Sequence, residues 1–397
     1  MKGIDLFSGG GLGSAGARHA GLTMVGAADA WDIATETYRS NFKAAKVVTT
    51  RLTDRSGPEI FGNVGKIDML IASPECTHHS IARGNRPVDT ESQRSGWYVM
   101  KFIRELNPRW IVLENVTPMK NWPGYDDLIE MLRKTYNLRI GPLDAADFGT
   151  PQNRRRLFIV GDRLANPSIA HPGNRPTRDA ASIIERAGNF RADPVFNGKR
   201  ADSTIARVER GIAELGRNKD FLIVYYGSDR AGGWQRLDRP LRTLTTLDRF
   251  GLVQWIDGQP TLRMLQIPEL KRAMGLTHLK DENGEGVKFL LDHGTRRDKV
   301  KVIGNGVCAP VMRAVVGSLL GGNSADVMAE DLVAPKSTRA SRCLSRTLTE
   351  KEKALAASPP RAQATRAAAE SRSLGFQRKD SHQTTAPTLD SGANALR

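Results

Sequence analysis

The chain has 397 residues, of which 39% are hydrophobic and 26% charged, as in a folded protein with a substantial core. A formal net charge of +16 favours a polyanionic partner, with nucleic acid before an anionic membrane. The three cysteines, Cys76, Cys308 and Cys343, are odd in number and far apart, which argues against a disulfide framework or a zinc cluster. The first residues do not form a signal peptide, and no run approaches the ~20 apolar residues that span a bilayer. We therefore expect a cytoplasmic protein without a membrane partner.

Strand-like and helix-like patterns alternate through the first 161 residues. Short apolar runs bounded by glycine, proline or polar residues predict strands, and helical spacing of apolar residues predicts the helices between them. The predicted strands span residues 3–7, 22–28, 67–72, 110–113 and 157–161, and the predicted helices end at residue 21 or span residues 33–42, 90–106 and 126–136. This alternation predicts an α/β fold with a Rossmann-like, doubly wound, mostly parallel sheet, in which ligands bind at the carboxyl ends of the strands.

The pattern changes after residue 161. Residues 163–238 are rich in Arg, Gly, Asp and Pro and have few periodic segments, which predicts a smaller, loop-rich second domain. Apolar periodicity returns in residues 240–256, 261–274 and 302–320. Residues 336–397 are rich in Ala, Ser, Thr and Arg, which predicts a disordered basic tail.

A glycine-rich turn follows the first predicted strand, with the sequence Phe7-Ser8-Gly9-Gly10-Gly11-Leu12-Gly13. Glycine lets a backbone approach a ligand closely and adopt positive φ. Gly11, Gly13 and Gly16 have the spacing of a dinucleotide-binding turn, and Asp29 follows at a distance suited to holding ribose hydroxyls. The turn favours a nucleotide-like cofactor. The alternative is a purely structural turn in which Asp29 caps a helix.

Cys76 follows the third predicted strand, in the segment Ser73-Pro74-Glu75-Cys76-Thr77-His78-His79-Ser80. A cysteine in a turn can act as a nucleophile if its thiolate is stabilised. A lone cysteine is more often a small buried hydrophobic residue. His78 and His79 do not predict a metal site, because adjacent ligands chelate poorly and the sequence has no second ligand cluster.

Charged side chains mark two further strand boundaries. Glu114 ends a buried strand, where a carboxylate is costly unless it pairs with a cation or takes part in chemistry. Gln152, Arg154 and Arg156 alternate just before the last strand of the first half and should share a face, although a generic basic patch is the alternative. The glycine turn, Cys76 and Glu114 all lie at strand ends, which predicts a single active site.

With these segments in this order, the sequence resembles the cytosine-C5 DNA methyltransferase family. The order is Asp5-Leu6-Phe7-Ser8-Gly9-Gly10-Gly11, then Pro74-Glu75-Cys76, then Glu114-Asn115-Val116, then Gln152-Asn153-Arg154-Arg155-Arg156, then a variable region. Residues 239–245 look like the segment that organises the target-recognition region. Residues 304–307 look like the late motif that folds back onto the cofactor site. The resemblance covers roughly residues 3–161 and 239–320.

The resemblance implies methyl transfer from S-adenosylmethionine to C5 of cytosine in DNA. Cys76 would be the thiolate that adds to C6 of the base and makes C5 reactive. Glu114 would hydrogen-bond N3 and the amino group of the base. Arg156, together with Arg154, would hold the base oxygen and the active-site loop. The target base must leave the stacked duplex for these steps, so base flipping is expected.

The same resemblance implies a cofactor site, DNA contacts and a domain map. The expected cofactor-binding residues are Phe7, Gly9, Gly11, Asp29, Pro74 and Asn305. Ser80 and Gln152 are expected to contact double-stranded DNA, and the enzyme is expected to be a metal-free monomer of a restriction-modification system. The implied map is residues 1–162 as the S-adenosylmethionine-binding catalytic domain, 163–238 as the target-recognition region, 239–325 as its end and the return to the catalytic domain, and 336–397 as the basic tail.

The sequence departs from the family pattern in three places. Glu75 and Thr77 flank Cys76 where the family usually has Pro and Gln, and a carboxylate that points at a thiol raises the thiol pKa. Ala30 replaces a common bulky residue, and residues 49–52 replace an Asp-Ile pair. Three alternatives stay open: the same chemistry on tRNA or a modified cytosine, a catalytically inactive DNA-binding homologue, and a nucleotide-cofactor oxidoreductase, which would leave Glu114 unexplained.

Overall fold

The structure is a computed structural model that describes residues 1–74, 90–172, 176–226, 233–276, 278–280 and 285–321. The chain divides into two units, Met1–Ser337 and Thr338–Arg397, and the second lies wholly outside the described residues. The tail predicted for residues 336–397, like the segment that contains Cys76 and Ser80, is therefore outside them.

A seven-stranded sheet organises the first half of the chain within the described residues. Its strands are β1 (Lys2–Leu6), β2 (Thr23–Asp29), β3 (Lys46–Thr49), β4 (Met69–Ala72), β5 (Trp110–Asn115), β6 (Asn137–Asp144) and β7 (Arg155–Asp162). They lie in the order β3-β2-β1-β4-β5-β7-β6. The first five are parallel, and β7 is antiparallel to both of its neighbours. The predicted α/β fold with a mostly parallel sheet is confirmed.

Both faces of this sheet are covered, which explains the continuous apolar runs of its central strands. In β4, Met69 and Ile71 join one hydrophobic cluster while Leu70 and Ala72 join the other. The helices of this half are α1 (Leu12–His19), α2 (Asp32–Asn41), α3 (Thr90–Leu106) and α4 (Tyr125–Arg133). Side chains of α1 and α2 enter the first cluster, and side chains of α3 and α4 enter the second. The sheet is thus doubly wound.

A second, five-stranded antiparallel sheet follows. It consists of β8 (Asp193–Pro194), β9 (Phe221–Val224), β10 (Trp234–Arg236), β11 (Phe250–Ile256) and β12 (Gln259–Met264), in the order β10-β9-β11-β12-β8. Helix α5 (Asp202–Leu215) packs on one face, where Val208 meets Phe221 and Ile223 in a small core. The sheet continues to Met264, past residue 238 and into residues 239–325, where the end of the recognition region was expected. Residues 163–238 also contain more regular structure than the predicted loop-rich region.

The chain then returns to the large sheet. Helix α6 (Ile267–Ala273) and a hairpin of β13 (His278–Lys280) and β14 (Gly286–Lys288) precede α7 (Arg296–Asn305) and α8 (Ala309–Leu319). Helix α8 packs closely on α1, since a side chain at Gly16 would collide with the carbonyl group of Ala309.

In the part of the chain that the structure describes, one helical stretch, Arg296–Leu319, is long and apolar enough to cross a membrane by length and composition alone. Of its most apolar window, 72% is buried inside the protein. The stretch also bends between α7 and α8, where Gly306 has an extended backbone with ψ of 154°. Its apolar side chains, such as Val302 and Val315, belong to the main hydrophobic cluster. Its hydrophobicity is therefore accounted for by the core.

Candidate active site

A cavity of about 490 Å³ opens at the carboxyl ends of β1, β2, β4 and β5. Eight of the residues predicted from the sequence line it: Phe7, Gly9, Asp29, Pro74, Glu114, Arg154, Arg156 and Asn305. Phe7, Gly9, Asp29, Pro74 and Glu114 meet because parallel strands end at one edge of the sheet. Arg154 and Arg156 reach the cavity from the start of the antiparallel strand β7, and Asn305 reaches it from the end of α7. Cys76 and Ser80, which the sequence also placed in the site, lie outside the described residues.

The glycine turn between β1 and α1 forms one wall of the cavity. Gly11 has φ of +85°, and a side chain there would meet the Phe42 ring at 2.7 Å and the Tyr38 ring at 2.9 Å. Only glycine suits this position. Gly11 does not itself line the cavity among the described residues. Phe7, which does, also has positive φ, +57°, an uncommon conformation for a bulky residue.

Asp29 is the last residue of β2, and its carboxylate connects the glycine turn to the turn that follows β2. Its Oδ2 accepts a hydrogen bond from the Gly9 N–H at 2.8 Å, and its Oδ1 accepts one from the Trp31 N–H at 2.9 Å. Burial raises the pKa of Asp29, while these hydrogen bonds and the Lys301 charge oppose that rise. Asp29 thus has a structural role, because its carboxylate accepts hydrogen bonds from backbone N–H groups as it would in the helix-capping alternative. A carboxylate has about four lone-pair sites, so capacity for a ligand hydroxyl is left.

Glu114 and Arg156 form an ion pair that lines the cavity at the end of β5, three places along the sheet from β2, the strand that ends at Asp29. Their Oε1 and Nε atoms are 3.3 Å apart, and the two side chains are 8% and 17% exposed. Burial raises the pKa of Glu114, and the charges of Arg156 and Arg154 and a hydrogen bond from Ser73 act against this. A buried carboxyl held between two cations and a hydroxyl is suited to exchanging a proton or a hydrogen bond with a ligand.

Asn115 connects the end of β5 to the last described residue before the Cys76 segment. Its Nδ2 donates to the Pro74 carbonyl oxygen at 3.2 Å, and its Oδ1 accepts from the Val116 N–H at 2.8 Å. This bridge fixes the backbone from which the segment of residues 75–89 departs, next to Glu114.

The predicted alternation in residues 152–156 is present, but two of its three inward side chains have different contacts from those expected. Gln152 is fully buried and bonds the Leu244 N–H and the Ala273 carbonyl oxygen, at 2.8 and 2.9 Å. The expectation that it contacts DNA stays a prediction, and in this structure its amide holds the chain inside the fold. The sequence signal of alternation does not distinguish a side chain that faces a ligand from one that faces a neighbouring loop.

Arg154 is the second of these side chains. Its terminal nitrogens donate to the carbonyl oxygens of Leu244 and Gly304, at 2.9 and 2.7 Å, and it is 3% exposed. It was expected to hold the base oxygen together with Arg156. In the structure it joins the segment before β11 to the end of α7, and Arg156 alone pairs with Glu114.

Cys308 is the one cysteine among the described residues, and it is a poor nucleophile. It is 2% exposed, and burial raises the pKa of its thiol to about 11. At neutral pH the thiol is protonated and inert. The same residues contain no group of three His, Cys, Asp or Glu side chains arranged to hold a metal ion.

A sequence profile of the family described as C-5 cytosine-specific DNA methylase matches residues 1–214, more than half of the chain. The chain belongs to the C-5 cytosine-specific DNA methylase family. The resemblance inferred from the sequence motifs is thereby confirmed.

Curated members of this family show how far the likeness extends. The Type II methyltransferase M.XorII of Xanthomonas oryzae pv. oryzae is 32% identical over 203 residues, which are 47% of each chain. The chain thus spans about half the length of M.XorII, and the same holds for M.DdeI of Desulfomicrobium norvegicum, with 30% identity. The Type II methyltransferase M.FnuDI of Fusobacterium nucleatum is 29% identical over 331 residues, 77% of this chain and 90% of that protein.

Solved structures share the fold. A DNA modification methyltransferase encoded within an E. coli prophage superposes with a TM-score of 0.58 and 19% identity, over 81% of this chain and 99% of that one. The Dnmt2 methyltransferase of S. pombe superposes with a TM-score of 0.54 and 17% identity, over 81% and 98%. At these identities the likeness concerns the architecture.

Among the cavity residues that were not predicted as site residues are Asp5, Trp31 and Lys301. Ala30 stands where the family commonly has a bulky residue, and Trp31 supplies a bulky side chain one position later. Lys301 lies four residues before Asn305, one helical turn away on the same face of α7, a spacing that would have pointed to it. Thr50, Arg51 and Leu52 also line the cavity, so the segment that lacks the Asp-Ile pair still reaches it.

Asp5 begins a buried chain of hydrogen bonds beside the cavity. The Ser14 hydroxyl donates to Asp5 Oδ2 at 2.5 Å, and the Tyr38 hydroxyl donates to Ser14 Oγ at 2.8 Å. Burial, with smaller effects of the Asp29 and Glu114 charges, raises the pKa of Asp5 from 3.8 to about 7. The folded state therefore binds a proton that the unfolded state has lost between these pH values, so Asp5 makes the fold less stable as pH rises from about 4 to about 7.

We expect Asp5→Asn to stabilise the protein above pH 7 by an amount on the order of 2–4 kcal/mol. Asparagine retains an oxygen for the Ser14 hydrogen bond and carries no charge. The advantage should shrink as pH falls towards 4, where the wild-type carboxyl is protonated as well. Urea unfolding of both proteins at pH 5 and pH 8 measures this difference. An equal free-energy difference at both pH values would contradict the assigned pKa shift.

Proposed function

We propose that this protein transfers a methyl group from S-adenosylmethionine to C5 of cytosine in double-stranded DNA. The observation that carries the proposal is the single cavity with the Asp29 turn at one end and the Glu114–Arg156 pair at the other. One end suits a nucleoside and the other suits a polar heterocycle, and Pro74, the last described residue before the Cys76 segment, lines the same cavity. Family membership supports the same reaction.

The residues present fit S-adenosylmethionine. A volume of about 490 Å³ lies in the range of small-molecule sites. The carboxyl groups of Asp5, Asp29 and Glu114 line the cavity beside four cationic side chains, which suits a zwitterionic ligand with sulfonium, ammonium and carboxylate groups. The cationic residues are Arg51, Arg154, Arg156 and Lys301. Phe7 and Trp31 offer aromatic surface for a purine. When bound, S-adenosylmethionine supplies an electrophilic methyl group.

The chemistry at the base is assigned to Cys76, Glu114 and Arg156. The Cys76 thiolate forms a bond from Sγ to C6 of cytosine, which makes C5 nucleophilic. Glu114 hydrogen-bonds N3 and the amino group and favours protonation at N3 as the ring gains electron density. Arg156 holds the base oxygen and keeps Glu114 oriented. After C5 has taken the methyl group, loss of the C5 proton to solvent breaks the Sγ–C6 bond and regenerates the thiolate.

The remaining assignments follow from the same proposal. The net charge of +16 suits the DNA backbone, and residues 163–238 together with the rest of the second sheet form the target-recognition region. Ser80 contacts the DNA backbone, and the target base is flipped into the cavity. We propose a monomeric cytoplasmic enzyme of a restriction-modification system, as the Type II names of its relatives suggest.

Transfer of a labelled methyl group from S-adenosylmethionine to DNA and to tRNA, measured side by side, tests the reaction and its substrate. We expect label in DNA, recovered as 5-methylcytosine, and none in tRNA. Cys76→Ala should abolish transfer, whereas Cys343→Ala, a matched control, should leave it unchanged. Label only in tRNA, or full activity of Cys76→Ala, would contradict the proposal. DNA containing 5-fluorocytosine should trap a covalent complex with the wild type but not with Cys76→Ala.

A further inference from the structure

A cation–π contact joins two distant segments of the chain at the cavity. The ammonium nitrogen of Lys301 lies 4.0 Å from the centre of the Trp31 ring. Trp31 directly precedes α2, Lys301 lies on α7, and both side chains line the cavity. The contact therefore links the turn after β2 to the helix that returns from the second sheet.

Trp31 is fixed from its backbone as well as from its ring. Its N–H donates to Asp29 Oδ1 at 2.9 Å, and the other carboxylate oxygen holds the Gly9 N–H at 2.8 Å. The charge of Lys301 acts on the same carboxylate and opposes the rise in the pKa of Asp29 that burial causes. Carboxylate, indole and ammonium thus form one group at the end of the cavity assigned to the nucleoside.

We propose that Lys301 and Trp31 form a clasp over the nucleoside part of the cofactor, with Lys301 as a positioning residue for cofactor binding. This inference rests on the proposed function. A ligand that covers the pair displaces water from it, and a cation–π contact is stronger when it is desolvated. Ligand binding and the clasp stabilise each other, because the coupling between two equilibria is reciprocal.

Calorimetric titration of the full chain with S-adenosylmethionine and with S-adenosylhomocysteine tests the clasp. Lys301→Met keeps the apolar stem and removes the charge, and it should weaken both ligands by the same factor, about threefold to thirtyfold. The affinity for the two ligands should fall equally because both contain the same nucleoside. Lys301→Arg keeps a cation that stacks on aromatic rings and should restore affinity to within about threefold. A change confined to S-adenosylmethionine would assign Lys301 to the sulfonium charge and overturn the clasp.

A double-mutant cycle separates the clasp from a general loss of charge. In a Trp31→Leu background, Lys301→Met should lower the affinity by a clearly smaller factor than in the wild type, because the partner ring is gone and only the effect of the Lys301 charge on Asp29 is left. Fully additive losses would overturn the proposal. Lys299→Met is the matched control, since Lys299 lies on the same helix but does not line the cavity. The Lys299→Met variant should bind both ligands as tightly as the wild type does.

The outcomes for the clasp and for the proposed function are distinguishable. If the wild type binds both ligands and Lys301→Met binds them equally well, the clasp is wrong and the proposed function stands. If the wild type binds neither ligand, the proposed function fails. Thermal unfolding of each variant without ligand shows whether a loss of affinity comes from a loss of fold.

Discussion

Glu114→Gln is expected to lower the rate of methyl transfer by about 10²–10⁴-fold without unfolding the protein. Glutamine has nearly the same shape and can still accept the Ser73 hydrogen bond. It cannot exchange a proton with the base, and it leaves Arg156 without the carboxylate that lies 3.3 Å from its Nε. Single-turnover transfer to DNA at saturating cofactor measures the chemical step directly.

Glu130→Gln provides the control for this substitution. Glu130 lies on α4, is 75% exposed and faces Lys134 at 3.8 Å, a surface pair of little energetic consequence. Its rate should match that of the wild type. If Glu114→Gln retained the wild-type single-turnover rate, the assignment of Glu114 to the chemistry at the base would be wrong.

Glu269→Ala is expected to destabilise the fold by about 3–5 kcal/mol. Glu269 and Arg263 form a two-pronged ion pair with both N–O distances at 2.7 Å, and their side chains are 0% and 3% exposed. The carboxylate also accepts hydrogen bonds from the backbone N–H groups of Gln266 and Glu185, at 2.6 and 2.9 Å. Its removal leaves the buried Arg263 guanidinium and the two backbone N–H groups without their acceptor. Urea unfolding at pH 7 measures the loss.

An exposed ion pair next to the same sheet gives the comparison. Arg236 and Asp238 also approach to 2.7 Å, but their side chains are 49% and 54% exposed. Asp238→Ala should therefore lower the free energy of unfolding far less than Glu269→Ala does. If both variants lost a similar free energy of unfolding, burial would not determine how much each ion pair contributes. Because Arg263 lies next to the last residue of β12 and Glu269 lies on α6, the buried pair fixes the second sheet to the helices that lead back to the cavity.

The sequence indicated the sheet and the cavity well because their signals are local. Buried parallel strands are continuous apolar runs, and strand ends collect the residues that meet a ligand. Two strands of the seven-stranded sheet were not predicted. In β6 the pattern of eight residues includes Arg139 and Pro142 and is mostly half-exposed, as suits an edge strand. In β3 the four residues are too few for a clear pattern.

Tertiary contacts explain the other differences. Helix α5 has apolar residues at positions 205, 208, 212 and 215, a helical spacing that was overlooked in a region judged by its Arg and Gly content. Gln152 and Arg154 share the predicted inward face, but the carbonyl groups they bind belong to residues more than 85 positions later. The Lys301–Trp31 contact likewise depends on how the chain returns after the second sheet. No local pattern encodes such partners.

Mapping of 5-methylcytosine in the DNA of a bacterial host that lacks its own cytosine methyltransferases is the most direct test of the central claim. Bisulfite conversion of DNA from cells expressing the wild-type chain should leave cytosines unconverted at one recurrent sequence, and cells expressing Cys76→Ala should show full conversion. Complete conversion with the wild type, despite soluble and folded protein, would contradict the assignment of C5 methylation, and protection with Cys76→Ala would contradict the role of Cys76.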